Sequence, residues 1–228
     1  MHDLTDQIHA IWVDSTQFDP LRHTPPFLPA GSFPVKLAAQ QKAQVQGWVK
    51  QAQMESAVEP YLRSMAKSYN DPLGWMSALL TCLRSAALIH QTHHWQTRGL
   101  AFYGDHQLFM RLYEDSQAFI DSVAEKTVGL GNPSLVDPVI QAKHLAYCVS
   151  KCYEGAKAEE GPNGMVQISL RKEYYVLEAV KVVLHELGEA GILSDGTENL
   201  LQGIADKHEE FVYLLKQRAD ATSYSYAR

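Results

Sequence analysis

The chain has 228 residues, 46% of them hydrophobic and 20% charged, a balance that fits one sizeable core with extensions. Its formal net charge of -6 excludes a surface built to neutralise phosphates, because affinity for nucleic acid rests on clustered Lys and Arg and no basic block occurs. Cys82, Cys148 and Cys152 are too few and odd in number for a disulfide framework, which predicts a reducing compartment. No apolar run reaches the roughly 18 residues of a spanning helix, and the start MHDLTDQIHA lacks a leader pattern. The expected location is the cytoplasm or the inside of an assembled particle.

In chain order, Leu4, Ile8, Ile11 and Trp12 stand at helical spacing and predict a short amphipathic arm between Asp3 and Val13. Thr24 to Pro34 (TPPFLPAGSFP) follows as a linker, since proline fixes its backbone and lacks a donor. Val35 to Ser68 reads as helix, with Trp48 and Tyr61 as large packing groups, and Tyr69-Asn70-Asp71-Pro72 closes it. Residues 1–71 are therefore expected to form an N-terminal extension.

Pro72 to Thr97 predicts a helix that is apolar around much of its circumference and so buried on more than one side. After Arg98-Gly99, a second helix is expected over about Asp105 to Val128, with Phe109, Leu112, Ser116, Phe119, Ile120 and Val123 on one face. Glycines 129 and 131 and Pro133 end it. Leu135 to Ala156 is a third amphipathic stretch, with Val139, Ile140, Leu145, Val149 and Tyr153 as its apolar residues. Gly161 to Gly164 reads as a turn and Met165 to Leu170 as a β-capable run not forced into a sheet. Glu173 to Ala190 is a one-faced helix; Ser194-Asp195-Gly196 turns the chain, Thr197 caps, and Glu198 to Ala219 is the last helix. Residues 221–228 form a loose tail.

The expected fold is all-α: a four-helix bundle over residues 72–220, with an inserted helix at 135–156 in a long crossover between the two helix pairs. Such a crossover is what a ferritin-like topology requires.

Imidazoles and carboxylates recur at helical spacing between His90 and Gly131. At about 100° per residue and with His106 at zero, Asp121 falls near ~60°, Glu125 near ~100° and the apolar stripe near ~260°. Asp121 and Glu125 are thus neighbours one turn apart that look sideways out of their own bundle. His90 and His94 are also one turn apart. Carboxylate oxygen with imidazole nitrogen suits Fe(II), Mn(II) or Zn(II), and if both pairs bind one ion, a subunit interface is the natural place.

The run His94-Trp95, Gly99, His106, Asp121, Glu125 and Leu130-Gly131 resembles the Dps proteins, the mini-ferritins, whose signature is His-Trp, a second His and then D-x-x-x-E. The resemblance covers roughly Pro72 to Ala219. It implies a ferroxidase site at a twofold interface, with His94 and His106 from one subunit and Asp121 and Glu125 from the other. It also implies a homo-oligomeric, twelve-subunit shell that stores oxidised iron and consumes peroxide.

Where the family has an acidic residue one turn after the second His, this chain has Met110, a poor ligand for a hard cation. The basic arm that lets some members coat DNA is missing: residues 1–70 hold six basic and six acidic side chains, so DNA binding is not expected. His90 reads as a satisfied packing residue, His93 as surface, and Trp95 and Tyr113 as packing groups. Cys148 and Cys152 share a helix face without a third soft ligand, and HELGE (185–189) lacks the second His of a zinc protease. No E-x-x-H and no phosphate-binding GxxxxGK[ST] loop is present. The leading expectation is an iron-oxidising and iron-storing protein. The rival is a non-catalytic structural component of a compartment or virus particle that kept the bundle and lost the enzyme.

Overall fold

The computed structural model describes residues 58–154 and 162–220. The chain divides into two compact units, Met1–Lys50 and Gln51–Arg228, and every described residue belongs to the second. The expected arm at 3–13, the linker at 24–34, Trp48 and the tail at 221–228 lie outside the described residues. The elements are α1 (residues 58–67), α2 (Gly74–Gln96), α3 (Phe102–Leu130), a 3-10 turn (Pro133–Val136), α4 (Pro138–Tyr153), α5 (Pro162–Glu189) and α6 (Asp195–Asp220). No strand occurs among the described residues.

The four long helices α2, α3, α5 and α6 form the bundle, as two antiparallel hairpins, α2 with α3 and α5 with α6, joined where α2 packs on α5. Leu79, Leu83, Ala86, Val123, Val176, Val180, Val183, Leu201 and Ile204 fill its centre. Phe109, Leu112, Met165, Val166, Phe211 and Leu215 fill a second cluster. Each fully buried Leu or Phe contributes about 1.5–3 kcal/mol. Fifteen of the 23 residues of α2 are buried, as its all-round apolar pattern predicts, because α3, α5 and α4 all pack against it.

The corner between α1 and α2 is tight. Asn70 takes a positive φ of 51°, and the Asp71 Oδ1 accepts the Leu73 N–H at 2.8 Å. A Cβ at Gly74 would stand 2.3 Å from the Ala66 carbonyl oxygen, so glycine alone permits the crossing. Leu62, Met65 and Ala66 of α1 are buried in the same core as the bundle.

The crossover helix α4 starts where Asp137 accepts the N–H groups of Val139 and Ile140 at 2.9 Å each, with Pro138 at the first helical position. Its buried face is not the predicted one. Gln141, Cys148 and Cys152 point inward, while Val139 is 61% exposed and Tyr153 lies at the rim. The reason is a polar key. The Gln141 amide donates to Tyr69 Oη (3.0 Å) and the Ser77 carbonyl (3.1 Å) and accepts from Thr81 (3.0 Å), so it is satisfied where hydropathy alone would not place it.

Two further boundaries differ from expectation. Pro162 to Gly164 of the expected turn and the β-capable run at 165–170 are helical: α5 begins at Pro162, where the missing N–H costs nothing. Met165, Val166, Ser169, Lys172, Glu173 and Val176 continue one buried stripe at helical spacing, and so short an apolar run does not separate strand from helix by itself. At the start of α6 the Thr197 N–H donates to Ser194 Oγ at 3.3 Å, so Ser194 caps and Thr197 is buried inside the first turn. The end of α6 is fixed by Arg218, which grips Asp105 at the start of α3 with two bonds of 2.5 and 3.0 Å; Asp105 is 1% exposed.

Candidate metal centre

His94 lies in the last turn of α2 and His106 in the first turns of α3, brought together by the short connection through Gly99. Their rings stack at 3.7 Å between centroids and 24° between planes. His94 Nδ1 lies 2.9 Å from the His106 main-chain oxygen, and His106 Nδ1 lies 3.1 Å from the His94 main-chain oxygen. A carbonyl only accepts, so both Nδ1 atoms carry the hydrogen, and in a neutral imidazole of that tautomer the lone pair is on Nε2. Thr97 Oγ1 also donates to the His94 oxygen at 2.9 Å. Phe102 stacks on His106 and Tyr113 stands edge-on to His94. Both imidazoles are half-buried. A ring anchored through one nitrogen with the other free is the state in which histidine ligates a metal.

Asp121 and Glu125 stand one turn apart on α3, both exposed and neither in a hydrogen bond or ion pair among the described residues. They lie 15 residues or more from His106 along one helix, roughly 22 Å. A single chain therefore does not bring the four predicted residues together, and among the described residues no group of three or more His, Cys, Asp or Glu is arranged to hold a metal. Met110, one turn after His106, is half-buried on α3. Trp95, read from sequence as a packing residue, is 67% exposed, so the described residues do not cover it. In the HELGE segment, Glu186 is held by Arg63 at 2.8 Å and His185 and Glu189 are exposed, which spends the motif on an ion pair.

The sequence did not reveal a second constellation inside the bundle. Glu173 of α5 is fully buried; one carboxylate oxygen accepts from His90 Nε2 of α2 at 2.5 Å and the other from His208 Nδ1 of α6. Ser169 Oγ joins His90 Nδ1 (3.1 Å) to His93 Nδ1 (2.8 Å), and His93 Nε2 reaches Tyr153 Oη at 3.0 Å. His93 is thus 1% exposed and not the surface residue its neighbours suggested, whereas His90 packs as expected. The His208 Nε2 is buried and has no hydrogen-bond partner among the described residues. Burial alone would raise the Glu173 pKa, but the charge and hydrogen bonds of His208 and His90 outweigh it and hold the carboxyl at about 2. Burial, with the charge of His90, pushes His93 down to about 3. The available signal was a polar residue inside an apolar stripe: Glu173 falls between Ser169 and Val176, His208 between Ile204 and Phe211.

A family model, the ferritin-like domain, matches residues 76–222. The chain is 31% identical over 125 residues to DNA protection during starvation protein 2 of Bacillus anthracis, covering 54% of this chain and 79% of that protein. Among solved structures it is similar to Dps from Thermosynechococcus elongatus, with a TM-score of 0.53 and 19% identity over 67% of this chain and 92% of that one. It is also similar to Dps from Microbacterium arborescens in the high iron form, with a TM-score of 0.51 and 14% identity over 70% of this chain and 95% of that one. At these identities the two structures bear on the fold alone.

Proposed function

The chain belongs to the ferritin-like domain family, in its Dps branch, and on that premise we propose that it oxidises Fe(II) at a site shared by two copies and stores the ferric product. His94 and His106 of one copy supply two nitrogens, and Asp121 and Glu125 of a second copy supply carboxylate oxygens. The carrying observation is the reciprocal clasp that fixes both Nδ1–H groups on carbonyls and leaves both Nε2 lone pairs for an ion. The unpaired, exposed carboxylates on α3 are its complement.

Iron is the substrate here. Nitrogen with hard oxygen suits Fe(II), and zinc or manganese accepts the same donors. Two carboxylates stabilise Fe(III) over Fe(II) and so lower the cost of giving up the electron. With peroxide, two Fe(II), one H2O2 and two protons give two Fe(III) and two waters; oxygen is the other oxidant of this class. The oligomer is at least a twofold dimer, and the reading extends to a twelve-subunit shell located in the cytoplasm or an assembled particle. The net charge does not favour DNA as a partner.

Anaerobic Fe(II) titration of the purified protein, followed by peroxide and ferric absorbance, tests the reading. Saturable binding and fast oxidation, lost in Glu125→Ala, support it; iron oxidised no faster than in buffer sinks it. Met110 favours a second reading, a non-catalytic assembly protein on the same bundle, and that reading takes over in the latter outcome.

A further inference from the structure

Tyr153, at the end of α4, meets solvent on one side and a buried line of hydrogen bonds on the other. It is 38% exposed, and its hydroxyl lies 3.0 Å from His93 Nε2. Ser169 Oγ follows, 2.8 Å from His93 Nδ1 and 3.1 Å from His90 Nδ1, and the line reaches the fully buried Glu173 2.5 Å from His90 Nε2. Its hydrogens all point one way. A carboxylate only accepts, so His90 Nε2 carries the hydrogen, and the lone pair of a neutral His90 is on Nδ1. That nitrogen takes the Ser169 hydroxyl hydrogen, Ser169 Oγ takes the His93 Nδ1–H, and the His93 Nε2 lone pair takes the Tyr153 hydroxyl. Burial, with the charge of His90, holds His93 at about 3 and therefore neutral, as this order requires. Among the described residues Tyr153 is the phenol bonded to an imidazole, a group that accepts a proton on one nitrogen and releases one from the other. Tyr61 donates instead to the His144 carbonyl and Tyr113 to Glu114.

We propose that Tyr153 is a redox-active tyrosine, a one-electron donor to oxygen-centred radicals at the protein surface, whose phenol proton passes inward along His93, Ser169 and His90 to Glu173. A phenol that has lost an electron is a far stronger acid than the phenol itself, so its proton leaves even to a base as weak as His93. At rest the balance is reversed: burial and the neighbouring Cys152 push the Tyr153 pKa up, and the phenol keeps its proton. The inner end of the line sets the direction. Glu173 starts ionised in a fully buried position, and receiving the proton neutralises it, so the oxidised state carries no added charge in the interior.

The step balances with a peroxyl radical as oxidant. Tyr153 loses one electron, its O–H bond breaks, and a neutral phenoxyl radical remains. Four proton shifts, one across each hydrogen bond of the line, end in an O–H bond on Glu173. The peroxyl radical gains the electron and takes a proton from solvent to give a hydroperoxide. Every link survives with donor and acceptor exchanged, so no buried group is left without its partner. An external thiolate then gives back one electron, becoming a thiyl radical, and the proton returns from Glu173 to Tyr153. The oxidant has to reach only the exposed ring. The step needs no iron and does not rest on the His94 site.

The test uses the full-length protein stripped of metal by a chelator, with photogenerated tris(bipyridine)ruthenium(III) as the oxidant and tyrosyl absorbance and electron paramagnetic resonance as readouts. The expected result is a long-lived tyrosyl radical that Tyr153→Phe removes, formed at a rate that does not depend on buffer concentration and that falls in D2O. His93→Gln presents an amide that accepts the hydroxyl hydrogen but passes none on. It should slow radical formation about 100-fold and make the rate rise with buffer base. Ser169→Ala cuts the line one link further in and should slow it less, by roughly tenfold. Peroxyl radicals from a water-soluble azo initiator should raise the same Tyr153 signal. If His93→Gln does not fold, the unaltered protein decides: a rate that rises with buffer base, or one unchanged in D2O, overturns the proposal. A radical undiminished in Tyr153→Phe, a His93→Gln rate equal to that of the unaltered protein, or no Tyr153 signal with peroxyl radicals also overturns it.

Discussion

His90 and His94 stand one turn apart on α2 and meet opposite fates. His90 belongs to a buried chain running from Tyr153 through His93, Ser169 and His90 to Glu173 and His208, in which both ring nitrogens of His90 and of His93 are engaged. His94 belongs to a half-exposed pair in which one nitrogen of each ring is pinned and the other is left free. A nearly closed network stiffens a core, because every lone pair it satisfies is one that no ligand has to satisfy. An open one is prepared for something to arrive. The same residue type is thus used up by architecture or left open to a ligand according to how many of its nitrogens the fold consumes.

Exchanging the consequences of substitution is the strongest way to break this comparison. Glu125→Ala should lower Fe(II) oxidation by at least about 100-fold while leaving unfolding free energy within roughly 0.5 kcal/mol, as for any exposed position. Glu173→Leu should do the reverse. It strands His90 and His208 without their shared acceptor and should destabilise by about 3–5 kcal/mol in denaturant titration, with site occupancy by Fe(II) retained wherever the protein is still folded. If Glu173→Leu abolishes iron binding in folded protein, the interior takes part in holding iron.

A gentler separation uses pH. The Glu173 carboxyl is depressed to about 2, so the unfolded chain binds its proton first and stability falls as pH drops from about 4.5 toward 2. His93 is depressed to about 3, so the folded state resists a proton that the unfolded state accepts, and stability falls from about pH 6.5 toward 3. Both act in the same direction: these two groups together make melting temperature decline as pH falls below about 7. His93→Gln should flatten the upper part of that decline and leave the rest; an unchanged profile would remove His93 from the account. The smallest effect is expected at Met110. Met110→Glu adds an oxygen donor one turn from His106, and a rise of a few-fold in iron bound per chain, read by anaerobic titration, would show that the thioether limits the site.

The bundle was legible because its evidence is periodic. Phe109, Leu112, Ser116 and Val123 repeat at helical spacing and are all buried, and Asp121 and Glu125 fall off that stripe and are exposed. His94 and His106 came together as a pair only through the resemblance to the Dps signature, since helical spacing by itself pairs His90 with His94. The failures share a cause. Gln141, His93, Glu173, Lys172 and His208 are polar residues in buried positions, and periodicity assigns polar residues to the outside unless a partner on another helix is known. Gln141 needed Tyr69, Ser77 and Thr81, and Glu173 needed His90 and His208, contacts that sequence spacing does not encode. The start of α5 was missed for a different reason: Pro162 looks like an ending when only the chain before it is read.

The Gly74 crossing has a mechanical meaning as well. Backbone touches backbone there, with no side chain between to bend or slide, so α1 and α2 meet as two rigid rods at a fixed joint. Side-chain contacts yield gradually under load, but this one must separate whole or not at all. A single methyl group at position 74 would be enough to spring the joint, because it would have to part the start of α2, the helix that carries His94, from the α1 backbone.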